Sequence, residues 1–162
     1  MTDEISVQRD IQAPADQVWK MISDVTRMGE WSPETTGCTW LKGATGPAPG
    51  AKFKGVNQNG KKKWSTMCKV TAAEPGKSFV FSVDVGPIKV AEWAYTFASA
   101  DEGRGCTVTE TWTDRRNGIG RLFGKPVSGV ADRASHNRSG MEQTLERLAA
   151  AAESTAAGAA SD

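Results

Sequence analysis

Histidine and tyrosine are almost missing from this chain of 162 residues, which contains one of each, His136 and Tyr95. Cysteine is also scarce: Cys38, Cys68 and Cys106 lie far apart and form neither a Cys-x-x-Cys pair nor a cluster with histidine. This spacing does not fit the usual zinc ligand sets, so no metal site is predicted. An odd number of separated cysteines favours reduced thiols, which are typical of a cytoplasmic protein.

An excess of positive charge is missing too. The chain has 20 lysines and arginines against 19 aspartates and glutamates, whereas a nucleic-acid-binding protein usually has a basic excess. No stretch approaches the roughly 18 apolar residues that a membrane span requires, and the N-terminus lacks the basic and apolar segments of a secretion signal. We therefore expect a cytoplasmic protein that binds no nucleic acid and is not integral to a membrane.

The sequence also lacks a convincing cofactor motif. Gly118-Ile119-Gly120 has Phe123 where the dinucleotide-binding motif needs a third glycine. The segment also does not open a phosphate-binding loop between a strand and a helix. No Ser/His/Asp or Cys/His arrangement has a credible order. We therefore predict no cofactor and assign no catalytic residue.

Large apolar side chains are what the chain does contain. Hydrophobic residues make up 38% of it, and six of them are tryptophans. The length suits one domain. We predict a single domain over residues 1–153 and a disordered tail over the Ala/Gly/Ser-rich residues 154–162.

The order of elements follows from the apolar periodicity. Alternating residues and turn signals predict strands near 5–11, 36–42, 51–58, 61–73, 78–85, 89–99 and 106–114. A helix should begin near Pro14, and a second short helix or turn should cover 24–31. Apolar residues at steps of three and four predict a long helix over about 126–153.

Two turns set the expected strand pairing. A two-residue turn at Asn59-Gly60 would pair Gln58 with Lys61, and hence Gly55 with Trp64. A tight turn at Pro75-Gly76 would pair Glu74 with Lys77, Val70 with Phe81 and Ala72 with Phe79. Both turns place one set of apolar residues on a single inner face: Phe53, Trp64, Cys68, Val70, Phe79, Phe81 and Val83.

The predicted fold is α+β: a curved antiparallel sheet of about seven strands around a long C-terminal helix, with two short helices after the first strand. A sheet with one buried face must be covered, and only the C-terminal helix is long enough. A curved sheet around one helix can leave a cavity, and ligand cavities are mostly apolar.

Several short segments occur in a characteristic order: 11–19, 28–34, 50–55, 75–81, 107–112 and 129–137, followed by Met141 and by Leu145-Glu-Arg-Leu148. In these segments, over about residues 4–152, the chain resembles the polyketide cyclase/dehydrase-like (SRPBCC) bacterial proteins of the START-like, Bet v 1-like helix-grip superfamily. The resemblance implies that fold, with its characteristic cavity. It does not fix a function, because such families include cyclases, lipid carriers and chaperone-like proteins.

Glu110 is the first candidate for chemistry. The strand phase points it inward, between Val108 and Trp112, where a carboxylate has either a raised pKa or a cationic partner. It could be an acid, a base or a ligand anchor. The alternative that we favour is a structural ion pair with Arg133 or Arg138.

His136 is the only possible histidine base. It falls opposite the apolar stripe of the C-terminal helix, so we expect it to be exposed or packed at the helix end. The run Lys61-Lys62-Lys63 is expected to be a solvated turn.

The leading hypothesis is that the cavity binds or transports a hydrophobic small molecule, either a lipid or an aromatic polyketide-like compound. The alternatives are a polyketide cyclase or dehydratase with Glu110 as acid/base, and a protein-interaction module with a filled core. Either a monomer or a homodimer is expected. The predicted ligand-binding residues are Trp31, Phe53, Asn57, Trp64, Phe81, Trp93, Tyr95, Glu110, Trp112, Asn137 and Met141.

Overall fold

The computed structural model describes residues 3–161, without the side chains of residues 123–125 and 160–161. Residues 1, 2 and 162 of the predicted domain and tail lie outside the described residues. The helices and strands are β1 (Glu4–Ile11), α1 (Ala15–Ser23), α2 (Met28–Trp31), β2 (Thr35–Leu41), β3 (Lys52–Asn59), β4 (Lys62–Glu74), β5 (Ser78–Val85), β6 (Ile88–Ala100), β7 (Gly105–Asp114), α3 (Gly118–Ser128) and α4 (Arg133–Ser161). Short 3₁₀ turns cover Val25–Arg27 and Asp101–Gly103.

The predicted α+β class is confirmed. The seven strands form one antiparallel sheet in the order β1-β7-β6-β5-β4-β3-β2, so the first strand pairs with the last. Helix α4 packs against β1, β7, α1 and α2. No helix of the described residues is long and apolar enough to cross a membrane.

The inner faces of the strands are as predicted, although the first hairpin has a different register. Asn59 pairs with Lys62, so that Asn57 faces Trp64 and Gly55 faces Thr66. Gly60, with φ of 59°, is the first residue of the turn, where a type II′ turn requires glycine. The pairing is thus shifted by two residues. The inward side chains stay inward because the side-chain period of a strand is two.

The second hairpin also differs near its turn. Glu74 pairs with Ser78 and Ala72 with Val80, but Val70 pairs with Phe81 as predicted. A bulge at Thr71 absorbs the difference, because it puts one extra residue into β4. The inner face beyond the bulge is therefore the predicted one.

The predicted helix over 126–153 is wrong at its start. The structure has two helices there, and they are separated at Gly129, whose φ of 74° lies in the left-handed region. Asp132 caps α4, because its carboxylate accepts hydrogen bonds from the Ser135 amide at 3.1 Å and the Ser135 hydroxyl at 2.8 Å. Val127 and Val130 continue the three- and four-residue spacing of apolar residues across this break, so the spacing alone predicted one continuous helix.

The far end of α4 also differs from the predicted helix bounds. The helix runs to Ser161, past the expected end at Glu153. The segment after Glu153 was predicted to be a tail. It continues the helix because it is rich in alanine, which has the highest helix propensity.

The space between sheet and helix is filled along only one half of α4. From Leu145 onward, α4 presents the fully buried Leu145, Leu148 and Ala152 to a core that includes Ile11 and Val18. The N-terminal half carries Asn137, Gly140, Met141 and Thr144, which line a cavity instead.

The close approach of α2 to β2 gives a test of the packing. A Cβ added at Gly29 would lie 2.6 Å from the Thr36 carbonyl oxygen, whereas nothing lies within 4 Å of a Cβ at Gly37. We expect Gly29→Ala to lower the free energy of unfolding by about 1–3 kcal/mol, as overpacked sites do. Gly37→Ala should be neutral or slightly stabilising. Urea unfolding compares them, and equal effects would contradict the packing of α2 on β2.

Candidate functional site

A cavity of about 220 Å³ lies between the inner face of the sheet and the N-terminal half of α4. All the predicted ligand-binding residues except Trp31 line it. Its wall is predominantly apolar, with polar groups at a few positions. The cavity reaches the surface, because its lining includes Val127, which is 43% exposed.

Trp31 belongs to the core and not to the cavity lining. It is buried at the end of α2, and the Arg27 guanidinium lies 4.9 Å from its ring centroid. Its carbonyl oxygen accepts a hydrogen bond of 3.4 Å from Arg147 on α4. Trp31 therefore ties α2 to α4 next to the cavity.

Phe53 and Phe81 form part of the cavity wall, and Trp40, which is not a lining residue, packs against Phe53. The centroids of Phe53 and Phe81 are 5.2 Å apart with their planes at 70°, and Trp40 meets Phe53 in a similar edge-to-face contact at 5.6 Å. Such contacts are favourable beyond the area that they bury. They fix the shape of the wall.

Glu110 is the main polar group inside the cavity. It is 2% exposed, and its Oε1 accepts a hydrogen bond of 2.7 Å from the Tyr95 hydroxyl. The two residues are direct partners in the pairing of β6 with β7, which explains why their side chains meet. Among the described residues, no group hydrogen-bonds to the buried Oε2.

The predicted ion pair of Glu110 with Arg133 or Arg138 is wrong. Arg133 instead bonds to Glu34, with distances of 2.9 and 3.0 Å from its Nη1 to the two carboxylate oxygens. Burial raises the pKa of Glu110 to about 8, and the hydrogen bond from Tyr95 opposes this only in part. The carboxyl group is therefore mostly protonated at neutral pH.

Burial, and then the neighbouring Glu110, raise the pKa of Tyr95 well above its ordinary value. Burial also raises the pKa of the Cys38 and Cys68 thiols to about 12, so these two wall residues are neutral and unreactive as nucleophiles. At neutral pH Tyr95 and both thiols are thus neutral and Glu110 is mostly so, whereas Glu34, Arg116 and Arg133 of the described lining are charged side chains held in ion pairs.

A charged cluster closes one side of the cavity. Glu34, just before β2, accepts hydrogen bonds from Arg133 and lies 2.7 Å from His136 Nε2. The Arg133 guanidinium also lies 5.8 Å from the centroid of the Trp64 ring. His136 lines the cavity at this side and is partly exposed, at the start of α4. Glu34 was not predicted as a site residue, because it comes close to α4 only in the folded protein.

The two predicted amides are buried near this cluster. Asn57 accepts a hydrogen bond of 2.9 Å from the Thr35 hydroxyl, and its Nδ2 lies 3.4 Å from Thr66 Oγ1. Asn137 Oδ1 lies 3.4 Å from Arg133 Nη1. Both polar atoms of the Asn57 side chain and the Asn137 Oδ1 are thus engaged with the protein at the edge of the cavity.

The residues that line the opposite side of the cavity were not predicted from the sequence. Val85, Ile88, Val90 and Gly120 contribute to the lining there. None of these four residues was among the predicted ligand-binding residues, and no separate helix was predicted where α3 lies.

Helix α3 is fastened at its end to the β3–β4 hairpin. The Pro126 carbonyl accepts a hydrogen bond of 2.6 Å from Lys62 Nζ, and the Ser128 carbonyl accepts one of 2.9 Å from Asn59 Nδ2. Lys61, Lys62 and Lys63 are exposed, as expected, but Lys62 in addition holds this helix over the cavity.

The site offers little to a metal ion. Within residues 3–161, no group of three or more His, Cys, Asp and Glu side chains is arranged to hold one. The chemistry that the arrangement supports is therefore apolar binding with one buried carboxyl group.

The raised pKa of Glu110 gives a pH test. Between about pH 5 and about pH 8 the native state holds a proton that the unfolded chain has released, so the free energy of unfolding falls as the pH rises. The slope from this group is at most about 1.4 kcal/mol per pH unit. We expect Glu110→Gln to remove this part of the slope, as measured by urea unfolding across the interval. Parallel profiles for the two proteins would show that Glu110 titrates normally.

The family described as "Polyketide cyclase / dehydrase and lipid transport" matches residues 2–153. Among curated proteins, no sequence matches this chain. A polyketide-cyclase-like protein of Corynebacterium glutamicum, solved by NMR, is 33% identical, with 93% of this chain and 83% of that chain covered and a TM-score of 0.53.

Two structures with lower sequence identity share the fold. A protein from Chromobacterium violaceum is 16% identical, with 93% of this chain and 98% of that chain covered and a TM-score of 0.68. The di-domain ARO/CYC StfQ from the steffimycin biosynthetic pathway is 13% identical, with a TM-score of 0.73 over 97% of this chain and 52% of that chain. This chain thus spans about half the length of the di-domain protein.

Proposed function

The chain belongs to the polyketide cyclase/dehydrase and lipid transport family, and from that premise we propose that it binds or transports a hydrophobic small molecule in the cavity between the sheet and α4. Either a lipid chain or an aromatic polyketide-like compound fits this description. The observation that carries the proposal is the cavity itself, which the fold leaves open beside a fully packed core.

The size of the cavity supports a small or partly inserted ligand. Its volume of about 220 Å³ exceeds the roughly 150 Å³ of an engineered apolar cavity that stays dry and binds benzene. It lies below the about 300–1,000 Å³ of pockets that bury drug-sized ligands. A bicyclic ring system, or the end of a longer chain, matches this volume.

The lining supports an apolar ligand. Phe53, Phe81, Trp93 and Trp112 offer large apolar surfaces, and Met141 adds a flexible and polarizable side chain from α4. Binding would come from the removal of apolar surface from water. The charged cluster of Glu34, Arg133 and His136 stays at the edge.

A cavity-filling variant tests the proposal. Ala91 lies in the cavity lining on β6, and Ala94 lies on the outer face of the same strand. We expect Ala91→Leu to weaken binding of the uncharged probe N-phenylnaphthylamine by about tenfold or more, which corresponds to about 1.4 kcal/mol. Quenching of tryptophan emission by the probe gives the affinity.

Ala94→Leu is the matched control, since it adds the same atoms outside the cavity. It should bind the probe like the wild type. Equal affinities for all three proteins, or no saturable quenching by the wild type, would contradict binding in this cavity.

The second candidate function is a cyclase or dehydratase with Glu110 as the acid/base. The observation that favours it is a mostly protonated carboxyl group in an apolar cavity, as acid catalysis requires. Against it, the immediate polar partner of Glu110 is Tyr95, whose own pKa is raised, and no other acid/base group of the described residues hydrogen-bonds to Glu110.

We therefore expect the wild type to bind linear poly-β-ketones without converting them faster than buffer does, as followed by mass spectrometry. Turnover by the wild type that falls by about 10²–10⁴-fold in Glu110→Gln, with probe binding retained, would instead establish the enzyme. Glu110→Gln suits this test because it keeps the size of the side chain and removes its titration.

A further inference from the structure

We propose that the cavity selects uncharged ligands that carry a hydrogen-bond-accepting oxygen, such as a ketone or quinone carbonyl, and that the Glu110 carboxyl group donates the hydrogen bond to that oxygen. This inference rests on the proposed function, because it names the class of ligand that the same cavity takes. It makes Glu110 the residue that determines specificity.

The geometry of the carboxyl group carries the inference. Tyr95 occupies Oε1 by donating to it at 2.7 Å, so this oxygen is satisfied from the sheet side. Oε2 is buried and has no partner among the described groups, although Glu110 lines the cavity. Buried polar atoms are nearly always hydrogen-bonded, so a ligand atom is the natural partner for Oε2.

The protonation state decides what kind of partner this is. A buried carboxyl with a pKa of about 8 carries its proton at neutral pH. Because Oε1 already accepts from Tyr95, the proton belongs on Oε2, where the hydroxyl is a donor. A ligand carbonyl can accept that bond.

The other charged or titratable groups in the described lining do not offer a competing ligand anchor. Tyr95, Cys38 and Cys68 all have raised pKa values and are neutral. The arginines are already paired, since Arg116 bonds to Asp114 at 2.8 Å and Arg133 bonds to Glu34 at 2.9 Å; His136 Nε2 also lies 2.7 Å from Glu34. A ligand carboxylate would therefore find no unpaired arginine in this described lining, and an ammonium group would meet a neutral acid.

A set of probes of one shape tests the inference. Tetralin has no polar atom, α-tetralone adds one carbonyl, and the corresponding amine and carboxylate add a charge. By calorimetry, we expect the wild type near neutral pH to bind α-tetralone roughly three- to tenfold more tightly than tetralin, as one net hydrogen bond provides. The charged analogues should bind more weakly than tetralin.

Two substitutions of Glu110 distinguish the loss of its hydrogen-bond donor from the loss of its titratable group. Glu110→Gln keeps a donor, its amide N–H, and should retain the preference for α-tetralone at every pH. Glu110→Met is made in a Tyr95→Phe background, because the Tyr95 hydroxyl would lose its acceptor and could donate to the ligand instead; it removes the donor and should bind both probes equally. In the wild type alone, the preference should fade above about pH 8, as Glu110 loses its proton.

The outcomes distinguish the two proposals. If tetralin and α-tetralone both bind but Glu110→Met keeps the preference, or if a charged analogue binds best, the inference is wrong and the binding function stands. If neither probe binds to any of the proteins, the binding function itself is wrong. Should Glu110→Met fail to fold, the pH profiles of the wild type and Glu110→Gln decide, since only the wild type should lose the preference at high pH.

Discussion

One helix has to cover the whole inner face of a seven-stranded sheet, and the rest of the structure depends on this constraint. Strands about 4.8 Å apart make such a sheet roughly 29 Å wide, whereas a helix with its side chains is about 10–12 Å across. Helix α4 therefore cannot fill the space alone. At one end α1 and β1 complete the core around Leu148. At the other end, α3 and the segment before β2 are the described elements that reach over the sheet, and the cavity remains.

The buried carboxyl group of Glu110 takes its properties from this geometry. An apolar cavity cannot stabilise a carboxylate, because the charge loses its hydration and the Tyr95 hydroxyl replaces only part of it. Arg133, which could have paired with it, is held at the edge by Glu34, and Glu34 also lies beside His136. The result is a neutral interior with a charged rim. That division suits a site that must accept an apolar molecule and still orient it through one polar atom.

The sequence predicted the strands and their inner faces well, and the limits of that prediction have physical causes. Alternation fixes which side chains point inward, so a register error of two residues at Asn59-Gly60 left every face correct. The partner of Glu110 could not be predicted, because the turn between β6 and β7 is too irregular to set the pairing that places Tyr95 opposite it. The boundary between α3 and α4 was not predicted, because the three- and four-residue spacing of apolar residues continues across Gly129. The closing of the cavity edge by Glu34 depends on contacts between elements a hundred residues apart, which no local pattern contains.

The central claim is that the cavity holds a carboxyl group that is neutral at physiological pH. It is tested most directly by following the side-chain carboxyl carbon of Glu110 by NMR, with the protein labelled at glutamate and the resonance assigned through Glu110→Gln. We expect the chemical shift to titrate with a midpoint near pH 8, since burial raises the pKa to about 8. A midpoint near the ordinary glutamate value of about 4.3 would show that the carboxyl is ionised in the cavity and would contradict the account.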